Sequence, residues 1–147
     1  MNEVAKFRSN IMALEDAMKT LPSYDAGGEN TCRISHYNVP GLYAREMWMP
    51  ADCMITGKIH KTEHICILSK GMVTVSDGGH SVTYKAPAII VSRIGAKRAI
   101  YAHEESVWTN FHATELTDPE AIEREIIAET FEELDLMIEH QELKRIS

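Results

Sequence analysis

The chain has 147 residues, of which 44% are apolar and 25% are charged, and it carries a net charge of −7. This length predicts one domain with a buried core, and the composition is that of a globular protein rather than a disordered chain. Because no apolar run approaches the roughly 20 residues of a membrane span and the N-terminus lacks the apolar segment of a signal peptide, we expect a cytoplasmic protein without a membrane partner.

An amphipathic helix is predicted near the N-terminus, over residues 3–21. Its apolar side chains recur every three or four residues, which places them on one side of the helix: Val4, Phe7, Ile11, Leu14 and Met18. Pro22 ends the helix, and residues 23–30 (SYDAGGEN) are predicted to be a flexible connector. Residues 1–30 are therefore interpreted as a helix and connector that pack against the rest of the chain or against a partner subunit.

Short strands are predicted throughout residues 31–114. Turn residues separate runs of β-branched and aromatic side chains at positions 39–41, 77–79 and 86–87. No helical segment interrupts these runs, which disfavours a parallel sheet because parallel strands need long crossover connections. The pattern predicts an all-β core folded as a sandwich or a closed barrel.

An acidic C-terminal helix is predicted over residues 115–147. Asp118 offers a capping side chain and Pro119 suits the first turn. The apolar residues that follow share one face: Ile122, Ile126, Ile127, Phe131, Leu134 and Ile138. This region holds 11 acidic and 3 basic side chains and carries −8, whereas residues 1–114 carry +1. Its acidic face is interpreted as solvated, with a docking surface as the alternative. Nucleic acid is not an expected partner, because the tail would repel phosphates.

Two histidines four residues apart lie in GKIHKTEHICILSKG, residues 57–71. Gly57 and the β-branched residues around His60 and His64 favour extended chain over helix. In one unbroken strand the two side chains would stand roughly 13 Å apart, too far for one metal ion that binds nitrogen at about 2 Å. If His60 and His64 share a metal, residues 61–63 must therefore form a turn or bulge.

His112 and Tyr101 are further candidate site residues. His112 shares a strand face with Asn110 and Trp108, and it would complete a three-histidine metal site if that face lines the barrel. We assign Tyr101 to ligand binding, although tyrosines of small barrels more often form the wall. The other four histidines are interpreted as structural or exposed: His36, His80, His103 and His140.

Basic side chains lie near these histidines in the sequence: Lys58, Lys61, Arg93, Lys97 and Arg98. A locally basic pocket mouth would suit a small anionic ligand, such as a carboxylate or a phosphate. We expect Lys58 and Arg98 to contact this ligand. The alternative is that these charges form a solvated rim.

The three cysteines, Cys32, Cys53 and Cys66, show no C-x-x-C spacing. Their odd number predicts reduced thiols rather than a disulfide framework. We interpret them as small buried apolar side chains.

The stretch around His60 and His64 resembles the first motif of the cupin superfamily, which reads G, five residues, H-x-H, three or four residues, E, six residues, G. With the pattern anchored on Gly71, His64 takes the acid position, His60 the second histidine and Lys58 the first. Glu63 is the acid displaced by one residue, and a shifted register would exchange it for His64. The second motif maps onto residues 88–98, where Gly95 matches while Arg93 and Arg98 replace the proline and the histidine.

This resemblance implies an RmlC-like jelly-roll barrel, a double-stranded β-helix, over residues 31–114 with helices on both sides. It also implies a divalent transition metal such as Fe, Mn, Ni or Zn, and a homodimer formed through sheet edges and terminal helices. The segments TEHICILSKG, APAII, KRAIYA and SVWTNFHAT are similar to small single-domain cupins encoded by tailed phages, which implies the cytoplasm of a phage host as the location.

Three functions are compatible with these residues. The first is a cupin that binds a small anionic metabolite or a nucleotide-like ligand, which needs only a few placed donors in an apolar pocket. The second is a metal-dependent oxygenase, isomerase or lyase that uses His60, His64 and either His112 or Glu63. The third is a metal-free epimerase in which a carboxylate positions a histidine base. Because Lys58 and Arg98 stand where metal ligands are usual, anion binding is favoured, with the metal enzyme as the alternative.

Overall fold

A computed structural model describes residues 2–146, which form three helices and twelve strands. In chain order these are α1 (Glu3–Met18), β1 (Tyr24–Ala26), β2 (Arg33–Val39), β3 (Leu42–Met49), β4 (Met54–Thr56), β5 (Ile59–His60), β6 (His64–Lys70), β7 (Met72–Ser76), β8 (Ser81–Lys85), β9 (Ala88–Ser92), β10 (Ala99–Ala102), β11 (Ser106–Ala113), α2 (Pro119–Ile126), β12 (Ile127–Ala128) and α3 (Phe131–Ile146). No described helix has the length and apolar character needed to cross a membrane.

Two five-stranded sheets enclose the main core. The first has the strand order β1-β4-β10-β7-β8 and the second has β2-β3-β11-β6-β9. Their neighbouring strands run antiparallel, except that β1 is parallel to β4. The inner faces of both sheets contribute to one apolar cluster, in which Leu68, Val73 and Trp108 are at most 3% exposed. The predicted all-β core with flanking helices is confirmed.

Gly71 turns the chain from the second sheet into the first. It lies between β6 and β7 with a φ of +92°, in the left-handed region that favours glycine. A side chain there would also collide with Ser106 and with the carbonyl oxygen of Glu105. One strand pattern in the sequence, HICILSKGMVTVS, is therefore two strands of different sheets.

Substituting Gly71 with alanine is expected to lower the free energy of unfolding by at least about 2 kcal/mol, because the backbone is strained and the neighbouring chain must move. Urea denaturation measures this change. Gly57→Ala is the matched control, since its added carbon would meet only Arg98 O at an ordinary 3.6 Å. If Gly71→Ala lost no more free energy of unfolding than Gly57→Ala, this account of the turn at Gly71 would be contradicted.

The connector predicted to be flexible is instead ordered and partly buried. Residues Tyr24–Ala26 form β1, which pairs with β4. Asp25 is 3% exposed, and its carboxylate accepts hydrogen bonds from the backbone N–H groups of Asn30, at 2.9 Å, and Thr31, at 2.7 Å. The prediction was wrong because the Asp25 carboxylate accepts hydrogen bonds from Asn30 and Thr31, which hold in place the loop that its glycine and asparagine residues were expected to leave mobile.

The single C-terminal helix predicted over residues 115–147 is interrupted. Asp118 caps α2 and Pro119 begins it, as the sequence indicates. The helix ends at Ile126, however, and β12 pairs with β5 before α3 begins at Phe131. Thr130 caps α3, since its hydroxyl accepts from the backbone N–H of Glu133 at 3.1 Å. The prediction of one continuous helix was wrong because the backbone of residues 127–128 pairs with β5 instead of continuing the helix.

Candidate metal centre and ligand cavity

Three histidines from different parts of the chain meet inside the barrel. His60 ends β5, His64 begins β6 after a turn at residues 61–63, and His112 lies near the end of β11. One nitrogen from each ring lies within 4.8 Å of the others. Nitrogen atoms bound to one ion at about 2.1 Å are at most about 4.2 Å apart. A bound ion would therefore draw the rings slightly together.

Backbone carbonyl groups orient two of these rings. Nδ1 of His60 lies 3.4 Å from Ala96 O, and Nδ1 of His64 lies 3.4 Å from Thr62 O. A carbonyl oxygen only accepts hydrogen bonds, so each Nδ1 carries the proton and each Nε2 presents a lone pair. This is how protein metal sites commonly hold histidine ligands in orientation.

Two ring nitrogen atoms of this cluster are buried without a hydrogen-bond partner among the described residues, Nε2 of His64 and Nδ1 of His112. The side chains of His64 and His112 are 6% and 3% exposed. A buried polar atom left unpaired costs about 1–3 kcal/mol, so such atoms in a protein interior call for an explanation. Coordination of a metal ion would satisfy both atoms.

Burial lowers the pKa of all three histidines. It lowers the pKa of His60 to about 3, assisted by the charges of His64 and His112, and that of His112 to about 4. The pKa of His64 is lowered as well, first by burial and then by the charge of Arg98. At neutral pH the three imidazoles are uncharged, which is the form that binds metal.

These shifts predict that the metal-free protein loses stability as the pH falls below 6.5. An unfolded histidine titrates near 6.5, whereas folded His60 and His112 titrate near 3 and 4. The unfolded chain therefore binds protons that the folded chain rejects, at a cost of up to about 1.4 kcal/mol per pH unit for each histidine. Urea denaturation of chelator-treated protein between pH 7.5 and 4.5 measures the slope, and His60→Leu should flatten it. An unchanged slope in this variant would contradict the depressed pKa.

A cavity of about 320 Å³ lies beside the histidines, between the two sheets and α2. Ile55, Ile100 and Trp108 contribute apolar walls, and Ile122 and Ile126 of α2 also line it. The predicted face of β11 does line it, with Trp108, Asn110 and His112 all present. A small, largely apolar molecule could reach the histidines in this space.

Four of the five basic side chains predicted to form a basic mouth have carboxylate partners. Lys58 pairs with Glu123 of α2 and with Glu29, and the other three ion pairs are Lys61–Glu133, Arg93–Glu63 and Lys97–Glu15. Arg98 differs, since among the described residues it has no ion pair and its guanidinium donates to Ser92 Oγ. Lys58 and Arg98 both line the cavity. Of these five side chains, only Arg98 brings to the cavity a charge that no described carboxylate balances. Arg45 of β3 also lines the cavity without an ion pair among the described residues, and its guanidinium donates to Gly27 O.

Two candidates lie outside the cavity. Tyr101 points away from it and its hydroxyl donates to Asp52 at 2.7 Å, so the assignment of Tyr101 to this pocket is not supported by its position. Glu63 is exposed and binds Arg93 at 2.8 Å, which leaves the acid position of the first motif to His64. The shifted register with Glu63 as ligand is therefore wrong.

Sequence reasoning missed the pairing of Tyr43 with His36 in the cavity wall. Tyr43 is 4% exposed, and its hydroxyl lies 2.6 Å from Nδ1 of His36. The Tyr43 ring also stacks on His112 at 6.2 Å between ring centroids. His36, interpreted as structural or exposed, thus lines the cavity. The register of β2 with β3 brings His36 and Tyr43 together. Nothing in the local sequence of either residue indicates this contact.

Solved structures with similar folds are cupins. An RmlC-like cupin from Shewanella frigidimarina is 12% identical, with a TM-score of 0.50 over 61% of this chain and 80% of that one. A candidate ethanolamine utilization protein Q of Salmonella typhimurium LT2 is 12% identical, with a TM-score of 0.52 over 61% and 76%. The cupin domain of Schizosaccharomyces pombe Cnp3 is 16% identical, with a TM-score of 0.50 over 66% and 72%.

Sequence comparison adds no closer relative, since no protein-family model and no curated protein matches the chain. At identities of 12–16% the structural likeness concerns the fold alone. Together with the two antiparallel sheets and the flanking helices, it identifies the architecture. The chain has the cupin-type jelly-roll fold.

Proposed function

We propose that this protein binds a divalent transition metal through His60, His64 and His112 and holds a small ligand in the cavity next to the metal. The observation that carries the proposal is a pair of buried nitrogen atoms, on His64 and His112, that have no hydrogen-bond partner among the described residues and belong to a cluster of three histidines. Neutral imidazole ligands suit Zn, Fe and Ni better than Mn, which prefers oxygen ligands. The likeness to small cupins of tailed phages remains a prediction from the sequence.

The ligand is proposed to be a small molecule with an apolar body and one anionic group. Three protein ligands leave coordination positions open on the metal, and the apolar walls next to them favour an apolar body. Arg98 supplies a positive charge with no carboxylate partner among the described residues, and it can bind a carboxylate or phosphate. Lys58 contributes less, because Glu29 and Glu123 already neutralise it.

Elemental analysis of protein purified without an affinity metal column tests this proposal, together with native mass spectrometry of the same sample. We expect close to one transition metal per chain and, where a molecule is retained, a mass that identifies it. A protein that stays metal-free after incubation with Fe, Mn, Ni and Zn under reducing conditions would contradict the proposal.

A metal-dependent oxygenase, isomerase or lyase is the second candidate. It is favoured by the open coordination positions next to a largely apolar cavity, where a metal can act as a Lewis acid or activate water. The metal-free epimerase loses support, because in the described part of the chain none of the three histidines hydrogen-bonds to a carboxylate.

We also propose that a second copy of the chain is its partner. A row of side chains crosses the outer face of the second sheet and includes Tyr37, Ile65 and Val91, with Ile89 next to it; these are 47–72% exposed. Exposed apolar patches of this kind mark interaction surfaces. We expect a dimer at micromolar concentration and a monomer for Ile89→Asp, as measured by light scattering. A monomeric wild-type protein would contradict this.

A further inference from the structure

Two of the three cysteines lie side by side, although strands β2 and β3 separate them in the sequence. Cys32 precedes β2 and Cys53 directly precedes β4. Their Sγ atoms are 3.9 Å apart, and a disulfide bond measures about 2.05 Å. The sulfur atoms are therefore in contact and must approach by about 2 Å to bond.

The network around Asp25 holds Cys32 in this position. The Thr31 hydroxyl donates to the Asp25 carboxylate at 2.8 Å, and the backbone N–H of Thr31 donates to the same oxygen. Since the hydroxyl proton is used in this way, Thr31 Oγ faces Cys53 Sγ at 3.5 Å as an acceptor. Cys32 also donates its backbone N–H to Gly28 O at 3.1 Å. These hydrogen bonds within the loop thus hold the two sulfur atoms next to each other.

The three thiols differ in access and in acidity. Cys32 is half-buried, whereas Cys53 and Cys66 are 5% and 1% exposed. The hydrogen bond between the two neighbouring sulfur atoms lowers the pKa of Cys53 to about 6 and raises that of Cys32. Burial raises the pKa of Cys66. An oxidant from solution therefore meets Cys32 first, with a second sulfur in place behind it.

We propose that Cys32 and Cys53 form a reversible dithiol–disulfide site that low-molecular-weight disulfides oxidise. The structure has these thiols free, as the sequence predicts, and the proposal adds that two of them can be oxidised to a disulfide. Cys66 takes no part, since it is buried and contacts Ser92 Oγ at 3.4 Å.

The reaction consists of two thiol–disulfide exchanges. The Cys53 thiolate accepts the proton of Cys32, whose Sγ lies 3.9 Å away, and Cys32 Sγ attacks one sulfur of glutathione disulfide. A protein–glutathione bond forms, the sulfur–sulfur bond of glutathione disulfide breaks, and one glutathione leaves as a thiolate that takes a proton from water. Cys53, again as thiolate, then attacks Cys32 Sγ, and the second glutathione leaves with a proton. Two protein thiols are oxidised to one disulfide, and one glutathione disulfide is reduced to two glutathione molecules.

The disulfide would fix one wall of the cavity. Gly27 and Glu29 line the cavity and lie on the loop that leads to Cys32. Arg45 donates to Gly27 O at 3.2 Å across the same wall. Joining Cys32 to Cys53 closes a loop over residues 32–53 and restricts this segment, so oxidised protein should melt about 5–10 °C above reduced protein.

Redox titration with glutathione and glutathione disulfide tests the proposal on full-length protein, with alkylation of free thiols and peptide mass spectrometry. Trypsin separates the three cysteines into peptides 20–33, 46–58 and 62–70. We expect peptides 20–33 and 46–58 to appear linked and to lose alkylation together, whereas Cys66 stays reduced and is alkylated after denaturation.

Variants separate the two steps. In Cys53→Ser, Cys32 should stop at the mixed disulfide with glutathione, because the second sulfur is absent. In Cys32→Ser, Cys53 should remain free, because it is buried. The linked peptides of the wild type decide the question even if a variant folds poorly. Wild-type protein in which Cys32 accumulates as the mixed disulfide, or in which no linked peptide forms under excess glutathione disulfide, would overturn the proposal.

Discussion

His64→Leu is expected to abolish metal binding and, at the same time, to stabilise the metal-free protein. The variant removes one of three ligands, which should weaken zinc affinity at least about 100-fold. It also removes a buried nitrogen that has no hydrogen-bond partner in the fold. Relief of that cost should raise the free energy of unfolding by about 1 kcal/mol. Competition with a chromophoric chelator measures the affinity, and urea denaturation measures the stability.

His140→Leu is the matched control, since His140 is exposed on α3. It should leave zinc affinity unchanged. A variant of His64 that loses zinc affinity but gains stability distinguishes a metal ligand from a structural histidine. If His64→Leu kept its zinc affinity, or destabilised the metal-free protein as a well-bonded core residue would, the proposed role of His64 would be wrong.

Arg98→Met is expected to weaken ligand binding at least about tenfold, because a charge-assisted hydrogen bond contributes roughly 1.5–3 kcal/mol. Benzoate is a suitable probe, since it combines an apolar body with one carboxylate. Titration calorimetry of the zinc-loaded protein measures its affinity. Melting temperature checks the fold, since Arg98 also donates to Ser92.

Arg93→Met is the control for Arg98. Arg93 has the same charge, but its side chain is 79% exposed and paired with Glu63. It should bind benzoate as the wild type does. Equal affinities in the two variants would show that Arg98 does not anchor the anion.

The histidine centre was the part of the site most open to sequence reasoning. A turn at residues 61–63 is the condition for His60 and His64 to meet, and the structure has this turn. The face of His112 followed from its alternation with Trp108 and Asn110. No such inference was available for Tyr101, because every residue of β10 (AIYA) is apolar or aromatic and alternation cannot show which side chains face the cavity.

The sequence could not show whether the predicted basic side chains are paired, because the carboxylates that bind them lie on helices distant in the sequence. Glu123 of α2 binds Lys58, and Glu133 of α3 binds Lys61. The acidic tail and the basic motif region thus partly neutralise each other. The net charge of each sequence region suggested an anion-binding mouth. In the folded protein, ion pairs neutralise four of the five predicted basic side chains and leave mainly Arg98 with an unbalanced charge.

Two other features needed tertiary structure, although one of them had a local signal. The break between α2 and α3 is marked by Thr130 and Glu133, a T-x-x-E capping pattern that the long apolar periodicity concealed. The contact of Cys32 with Cys53 has no local signal, since it depends on how β2 and β3 fold back between them.

X-ray absorption at the metal edge of the zinc-loaded protein tests the central claim most directly. The account predicts three imidazole nitrogen atoms at about 2.0–2.1 Å, together with at least one further light atom in the open position. Fewer than three imidazoles, or sulfur in the coordination shell, would contradict a centre formed by His60, His64 and His112.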